Sequence, residues 1–284
     1  KLLAKSLAHA AKREVNPTCL PITQLKLELS ACRVTFSAFN KHWVFDASTK
    51  SCKEKHVNDL SWLVSPDHKK AVFLREHNLW IRFLESGHEQ ALTGDGQRHY
   101  AYGTQPERVD LVANLDNPFW GNTATPEALW SPDSKKILTI QVDERKVLSL
   151  PIIQYVPIDG SVRAQSVQTK YALPGDKHIV EYRMLSIDVD TGQTCAANYQ
   201  SVMDAVLLAG PFSGNRAWWS QDSYRAYFVD MARGQEQVRV VSFNTNTGVT
   251  RVLFEEKSET YIDLNLHFED SASLLPLPET NELI

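Results

Sequence analysis

The sequence predicts an all-β protein assembled from a recurring four-stranded antiparallel unit. Two observations carry that reading. A short phrase occurs three times, as Trp62-Leu63-Val64-Ser65-Pro66-Asp67, as Leu129-Trp130-Ser131-Pro132-Asp133 and as Trp218-Trp219-Ser220-Gln221-Asp222. Each copy places an apolar or aromatic run before a tight turn and a β-rich run after it. Pro fixes φ at the second turn position, and Asp accepts hydrogen bonds from nearby backbone amides. The second observation is texture. After Pro21 the chain runs in short segments of alternating polarity separated by Gly, Asn, Asp and Ser, the pattern of strands and hairpins rather than helices. Recurring units of this kind point to a partial β-propeller of four-stranded antiparallel blades, preceded by a short N-terminal helix.

Each element follows from its local pattern. Residues 1–20 read as a helix and lead-in, with Leu2, Leu3, Leu7 and Ala10 as the apolar stripe and Pro17 and Pro21 as the stop. Residues 21–284 read as the blades. Segments 34–39 and 43–45 alternate as strands, and 46–51 is a turn. Segments 60–64, 71–74, 79–84 and 91–93 make the clearest blade, with a hairpin at 75–78. The second copy repeats the order with 137–142 and 147–156, then carries a long insertion before the strand at 180–188 and the hairpin Asp190-Thr191-Gly192. The third continues through 225–230, 237–243 and 249–254, with Asn246-Thr247-Gly248 as a hairpin. Ser65, Ser131 and Ser220 lie 66 and 89 residues apart, more than the roughly 40–50 residues of a typical blade. Each interval should therefore hold a less regular blade or an insertion. Trp130, Trp218 and Trp219 are expected at equivalent positions, packing between neighbouring sheets.

Composition narrows the function classes. The 284 residues are 43% apolar and 23% charged, with a net charge of −4, which allows one large core or two smaller ones. That charge gives no basic footprint for nucleic acid or an anionic membrane surface. No run approaches the ~18 apolar residues of a membrane span. Cys19, Cys32, Cys52 and Cys195 form no C-x-x-C pair, so they read as scattered buried or half-buried thiols. The nine histidines form no H-E-x-x-H, and Asp188-Val-Asp190-Thr-Gly192 reads as a hairpin rather than a calcium loop. No cofactor or metal is expected.

The ordered set of phrases resembles a known family. Leu129-Trp-Ser-Pro-Asp-Ser-Lys-Lys-Ile-Leu, the run through Asp143-Glu144-Arg145 to Tyr155-Val-Pro157, and Tyr171-Ala-Leu-Pro-Gly-Asp176 resemble the propeller of dipeptidyl peptidase IV and its bacterial relatives, serine peptidases of the prolyl oligopeptidase family. Leu92-Thr-Gly-Asp-Gly96, Tyr100-Ala-Tyr-Gly103 and Asp263-Leu-Asn-Leu-His-Phe268 fit the same likeness, which covers roughly residues 55–284. The resemblance implies an eight-bladed propeller in front of an α/β-hydrolase domain with a Ser-Asp-His triad. The propeller would limit access to short or unstructured peptides and hold the substrate's amino terminus.

Two departures bear on function. The chain holds no G-x-S-x-G, since Gly210-Pro-Phe-Ser-Gly214 has the wrong spacing. It is therefore expected to carry no catalytic residue and to be the propeller portion of a longer peptidase, with its own C-terminal hydrolase domain and peptide substrates as partners. Family members also carry paired glutamates before the Trp-Ser-Pro turn, which bind the substrate's ammonium. Here the stretch 104–127 offers only single carboxylates: Glu107, Asp110, Asp116 and Glu127. Glu107 with Asp110 is one candidate ammonium site. The charged turn Asp143-Glu144-Arg145 is a second candidate for peptide binding, against the alternative of a solvated hairpin. A non-enzymatic propeller acting as an interaction scaffold is the competing function, with a glycan-binding propeller third. An unclosed ring exposes sheet edges, so self-association is expected.

Overall fold

The computed structural model describes residues 2–28, 32–39, 41–55, 62–107, 125–155, 162–200, 211–212, 216–262, 276–277, 280 and 282–283. These residues form antiparallel sheets and one short helix. The chain divides into two compact units, Lys1–Leu60 and Ser61–Ile284.

In the first unit, helix α1 (Leu2–Ala11) lies on a meander of β1 (Thr23–Glu28), β2 (Arg33–Ala38), β3 (Lys41–Asp46) and β4 (Ser51–Lys55). Leu7 is fully buried against Phe36, Trp43, Phe45 and Cys52, with Leu3 and Ala10 beside it. Burying one such side chain contributes roughly 1.5–3 kcal/mol. The stripe is shifted from the expected one. Ala4 is buried and Leu2 is exposed, because Leu3, Leu7 and Ala10 already fill one face at spacings of four and three. The helix also stops earlier than the prolines suggest. Lys12 adopts a left-handed φ of 50° and the Arg13 N–H donates to Ala8 C=O at 3.2 Å, the 6→1 bond of a Schellman ending.

The described residues of the second unit form three larger sheets. The first comprises β5 (Leu63–Val64), β6 (Lys70–Arg75), β7 (Asn78–Phe83) and β8 (Glu89–Ala91). Its β6–β7 hairpin turns on Glu76 and His77, both at positive φ, as the twist of a two-residue hairpin demands. The next sheet has β9 (Tyr100–Tyr102), β10 (Ala128–Trp130) and β11 (Lys136–Asp143). An exposed two-stranded ribbon of β12 (Ser149–Gln154) and β13 (Gln165–Lys170) intervenes before β14 (Glu181–Asp188) and β15 (Thr194–Ala196) complete that sheet. The last is the meander β16 (Ala217–Trp219), β17 (Arg225–Met231), β18 (Gln237–Asn244) and β19 (Thr250–Lys257). The short pair β20 (Pro276–Leu277) and β21 (Glu282–Leu283) follows it.

The repeated phrase has a definite structural job. In each copy the serine hydroxyl donates to the turn Asp two residues on: Ser65 to Asp67 at 2.6 Å, Ser131 to Asp133 at 2.6 Å, Ser220 to Asp222 at 2.5 Å. The same oxygen accepts the N–H that starts the next strand, from Lys70, Lys136 or Arg225. The copies then bond to one another. The Asp67 N–H donates to Ser134 Oγ at 3.1 Å, and the Asp133 N–H to Ser223 Oγ at 3.1 Å. Trp130 Nε1 donates to Leu63 C=O at 2.8 Å, and Trp219 Nε1 to Leu129 C=O at 3.1 Å.

Sheets carrying successive copies are thus direct neighbours. One core forms around Val72, Ile81, Ile137 and Ile187, and the next around Leu138, Met184, Phe228 and Phe243. Among the described residues no extra sheet therefore stands between successive copies. The β12–β13 ribbon accounts for part of the second interval. The expected equivalence of the tryptophans also changes. Trp130 and Trp219 match, Val64 takes their place in the first copy, and Trp218 instead stacks on Tyr227 with ring centroids 5.7 Å apart. Cys19 and Cys32 are exposed rather than buried, while Cys52 is buried and Cys195 half-buried. No helix among the described residues is long and apolar enough to cross a membrane.

Ser131 is fully buried with its hydroxyl engaged on both sides. Ser131→Ala should destabilise the chain by about 1–3 kcal/mol, read as a lower urea midpoint with an unchanged m-value. An unchanged midpoint would show that the turn does not hold the sheets.

Candidate functional site

The site begins at a strand whose edge is shared by two partners. One edge of β11 pairs with β10 over Ile137–Thr139 and with β9 over Gln141–Asp143. Its other edge pairs with β14 along its whole length. Cross-strand partners share a face, so Tyr100, Asp143 and Glu181 form one row, and Tyr102, Gln141 and Arg183 the next. Strand β15 covers only Leu185, Ser186 and Ile187 of β14. A cavity of about 620 Å³ opens beside the uncovered part, lined by both strands and by segments 177–180 and 197–200.

Two of the sequence candidates line it. Arg145 grips Asp143 through two side-chain bonds, Nη2 to Oδ2 at 2.6 Å and Nε to Oδ1 at 2.9 Å. Its guanidinium carbon sits 4.0 Å from the Tyr100 ring centroid, a cation–π contact. The Arg145 hydrogen bond is the main reason the Asp143 pKa lies below its ordinary value. Elsewhere in the lining, Tyr199 donates to Asp230 at 2.6 Å, and burial, helped by that bond, pushes its pKa up to about 12.

The other candidates are engaged elsewhere. Glu107 takes Arg98 Nη2 at 2.9 Å and the Lys170 N–H at 2.8 Å. Burial raises its pKa, but these bonds outweigh it and the net shift is downward. Glu144 is buried and accepts the Glu107 N–H on both oxygens, at 3.2 and 3.0 Å. Glu127 is buried and accepts from Gln105 and the Phe212 N–H. Asp110 and Asp116 lie outside the described residues. Glu107 and Glu144 thus brace a turn, and neither lines the cavity.

Sequence reasoning missed Gln141, Lys177, Glu181 and Arg183, which line the cavity with Asp143 and Arg145. Lys177, Glu181 and Arg183 make no ion pair among the described residues. For Glu181 and Arg183 the only sequence signal was the alternation of β14, whose odd positions are polar near its start. Among the described residues no group of three or more His, Cys, Asp or Glu side chains could hold a metal ion.

Repeated antiparallel sheets bonded turn to turn, with a polar cavity at an uncovered strand, define a repeat-built all-β domain. Residues 30–276 match the family of the dipeptidyl peptidase IV (DPP IV) N-terminal region, and the chain belongs to that family. It is 33% identical over 153 residues to a probable dipeptidyl-aminopeptidase B of Penicillium rubens, covering 49% of this chain and 16% of that protein. The corresponding protein of Aspergillus fumigatus is 30% identical over 194 residues, covering 61% and 20%. The crystal structure of Porphyromonas gingivalis dipeptidyl peptidase 4 shares the fold, with a TM-score of 0.54 at 16% identity, covering 85% of this chain and 31% of that one. The chain thus spans well under half the length of these relatives.

Because the folded-state pKa of Asp143 is depressed, its stabilisation is present above the ordinary carboxylate range and lost as pH falls through the folded value. Asp143→Asn should cost under about 1 kcal/mol at pH 7, and the gap from wild type should close below about pH 4. Thermal melts between about pH 2 and 7 check this, and a pH-independent gap would contradict it.

Proposed function

We propose that this chain is the N-terminal propeller portion of a dipeptidyl peptidase IV-like serine peptidase, binding peptide substrates and gating their access to a C-terminal hydrolase domain. The family match across residues 30–276 carries the reading. In it, the four- and five-stranded sheets of residues 21–284 are blades, and the Ser-Asp turns are the contacts between blades. Chemistry would proceed elsewhere, by serine attack with a histidine base and an oxyanion hole. Asp143, Arg145 and Glu181 would meet peptide, with Glu107 and Glu144 bracing the turn that presents them and Asp110 as a further carboxylate for the substrate's ammonium.

The reading frame beyond Ile284 tests this. A G-x-S-x-G followed by Asp and then His supports it. A stop codon or an unrelated domain overturns it and leaves an interaction scaffold. The chain alone should bind short peptides but release no p-nitroaniline from a dipeptidyl p-nitroanilide, and turnover above the buffer rate would contradict the assignment.

Self-association belongs to the same reading. Among the described residues strand β19 ends its sheet and exposes Val252, Leu253 and Phe254, the kind of edge that pairs with another chain. Sedimentation velocity should show a dimer that Leu253→Lys shifts towards monomer. A concentration-independent monomer would remove this part of the proposal.

A further inference from the structure

The cavity beside β14 combines features that its structural role leaves unused. Gln141 is 5% exposed, and its Nε2 is buried with no hydrogen-bond partner among the described residues. A buried amide donor left unpaired is costly. A half-turn of the terminal amide exchanges its nitrogen and oxygen, so the group can present a donor to the cavity it lines. Arg183 lies opposite Gln141 in the β11–β14 register. Lys177 and Arg183 have no ion pair among the described residues, whereas Arg145 is already paired with Asp143. The cations left over outnumber the one remaining carboxylate of the lining, Glu181. The volume of about 620 Å³ falls within the roughly 300–1,000 Å³ of small-ligand sites, and Asn198, Tyr199 and Gln200 add groups that suit peptide amides.

We propose that this cavity selects peptides carrying an acidic side chain, with Arg183 and Lys177 holding the carboxylate and Gln141 donating to it. The inference rests on the peptide-binding role proposed above and adds a preference to it. A planar guanidinium suits a carboxylate in two parallel hydrogen bonds.

The test uses the whole chain and two peptides with free amino termini and a dye on the C-terminal end, Gly-Gly-Glu-Gly-Gly and its Gln twin, followed by fluorescence anisotropy. The acidic peptide should bind about tenfold more tightly, less so at high salt. Arg183→Gln should abolish the preference by weakening the acidic peptide more than its Gln twin, and Lys177→Gln should reduce it. Gln141→Leu should raise the melting temperature while weakening the acidic peptide, a combination that a purely structural glutamine would not give. Equal binding of both peptides, or a preference that survives the Arg183→Gln, Lys177→Gln double variant, overturns this inference and leaves peptide binding standing. Binding of neither peptide overturns the peptide-binding role itself.

Discussion

The fold of residues 61–284 depends on one buried hydroxyl used three times. Ser65, Ser131 and Ser220 each bond the turn Asp and the first amide of the following strand. That double use fixes the turn geometry without a long loop. Once the turn is fixed, the Asp N–H of the first two copies points at the next sheet, where Ser134 or Ser223 accepts it. Both accepting serines hold a left-handed φ near 60°, an uncommon conformation for a residue that carries a side chain. The inter-sheet hydrogen bond and burial offset that strain. The indole bonds of Trp130 and Trp219 repeat the same link a few residues earlier.

The cavity is a consequence of strand length. Strand β11 has eight residues, while β10 and β15 have three each. The shortfall on one side is filled by β9, which brings Tyr100 beside Asp143. The shortfall on the other side stays open along the first half of β14 and becomes the cavity wall. The middles of these strands are apolar and fully buried, as at Leu138, Ile140, Met184 and Ile187. The charged residues of these strands lie towards their ends.

The charges divide by use. Glu107, Glu127 and Glu144 are held by backbone and side-chain donors within the fold. A carboxylate saturated in this way contributes to architecture, because a ligand would have to displace bonds already made. Asp143 occupies a middle position, paired with Arg145 yet facing the cavity. Groups that make no such bonds are the ones with interaction capacity to spare.

The sequence by itself determined the all-β class, the three turns and most strand centres, because each depends on short-range chemistry: alternation, Pro at a fixed turn position, Asp beside free amides. It also marked Asp143 and Arg145 through their charge density. Only the tertiary structure decided which copies touch, since residues 67 and 134 meet across an interval whose contents leave no local signature. It alone recruited β9 to the edge of β11, and it alone separated Glu107 and Glu144 from Glu181 and Arg183. Whether a charge is engaged or available depends on partners distant in the chain, and burial and pairing at that range are set by packing.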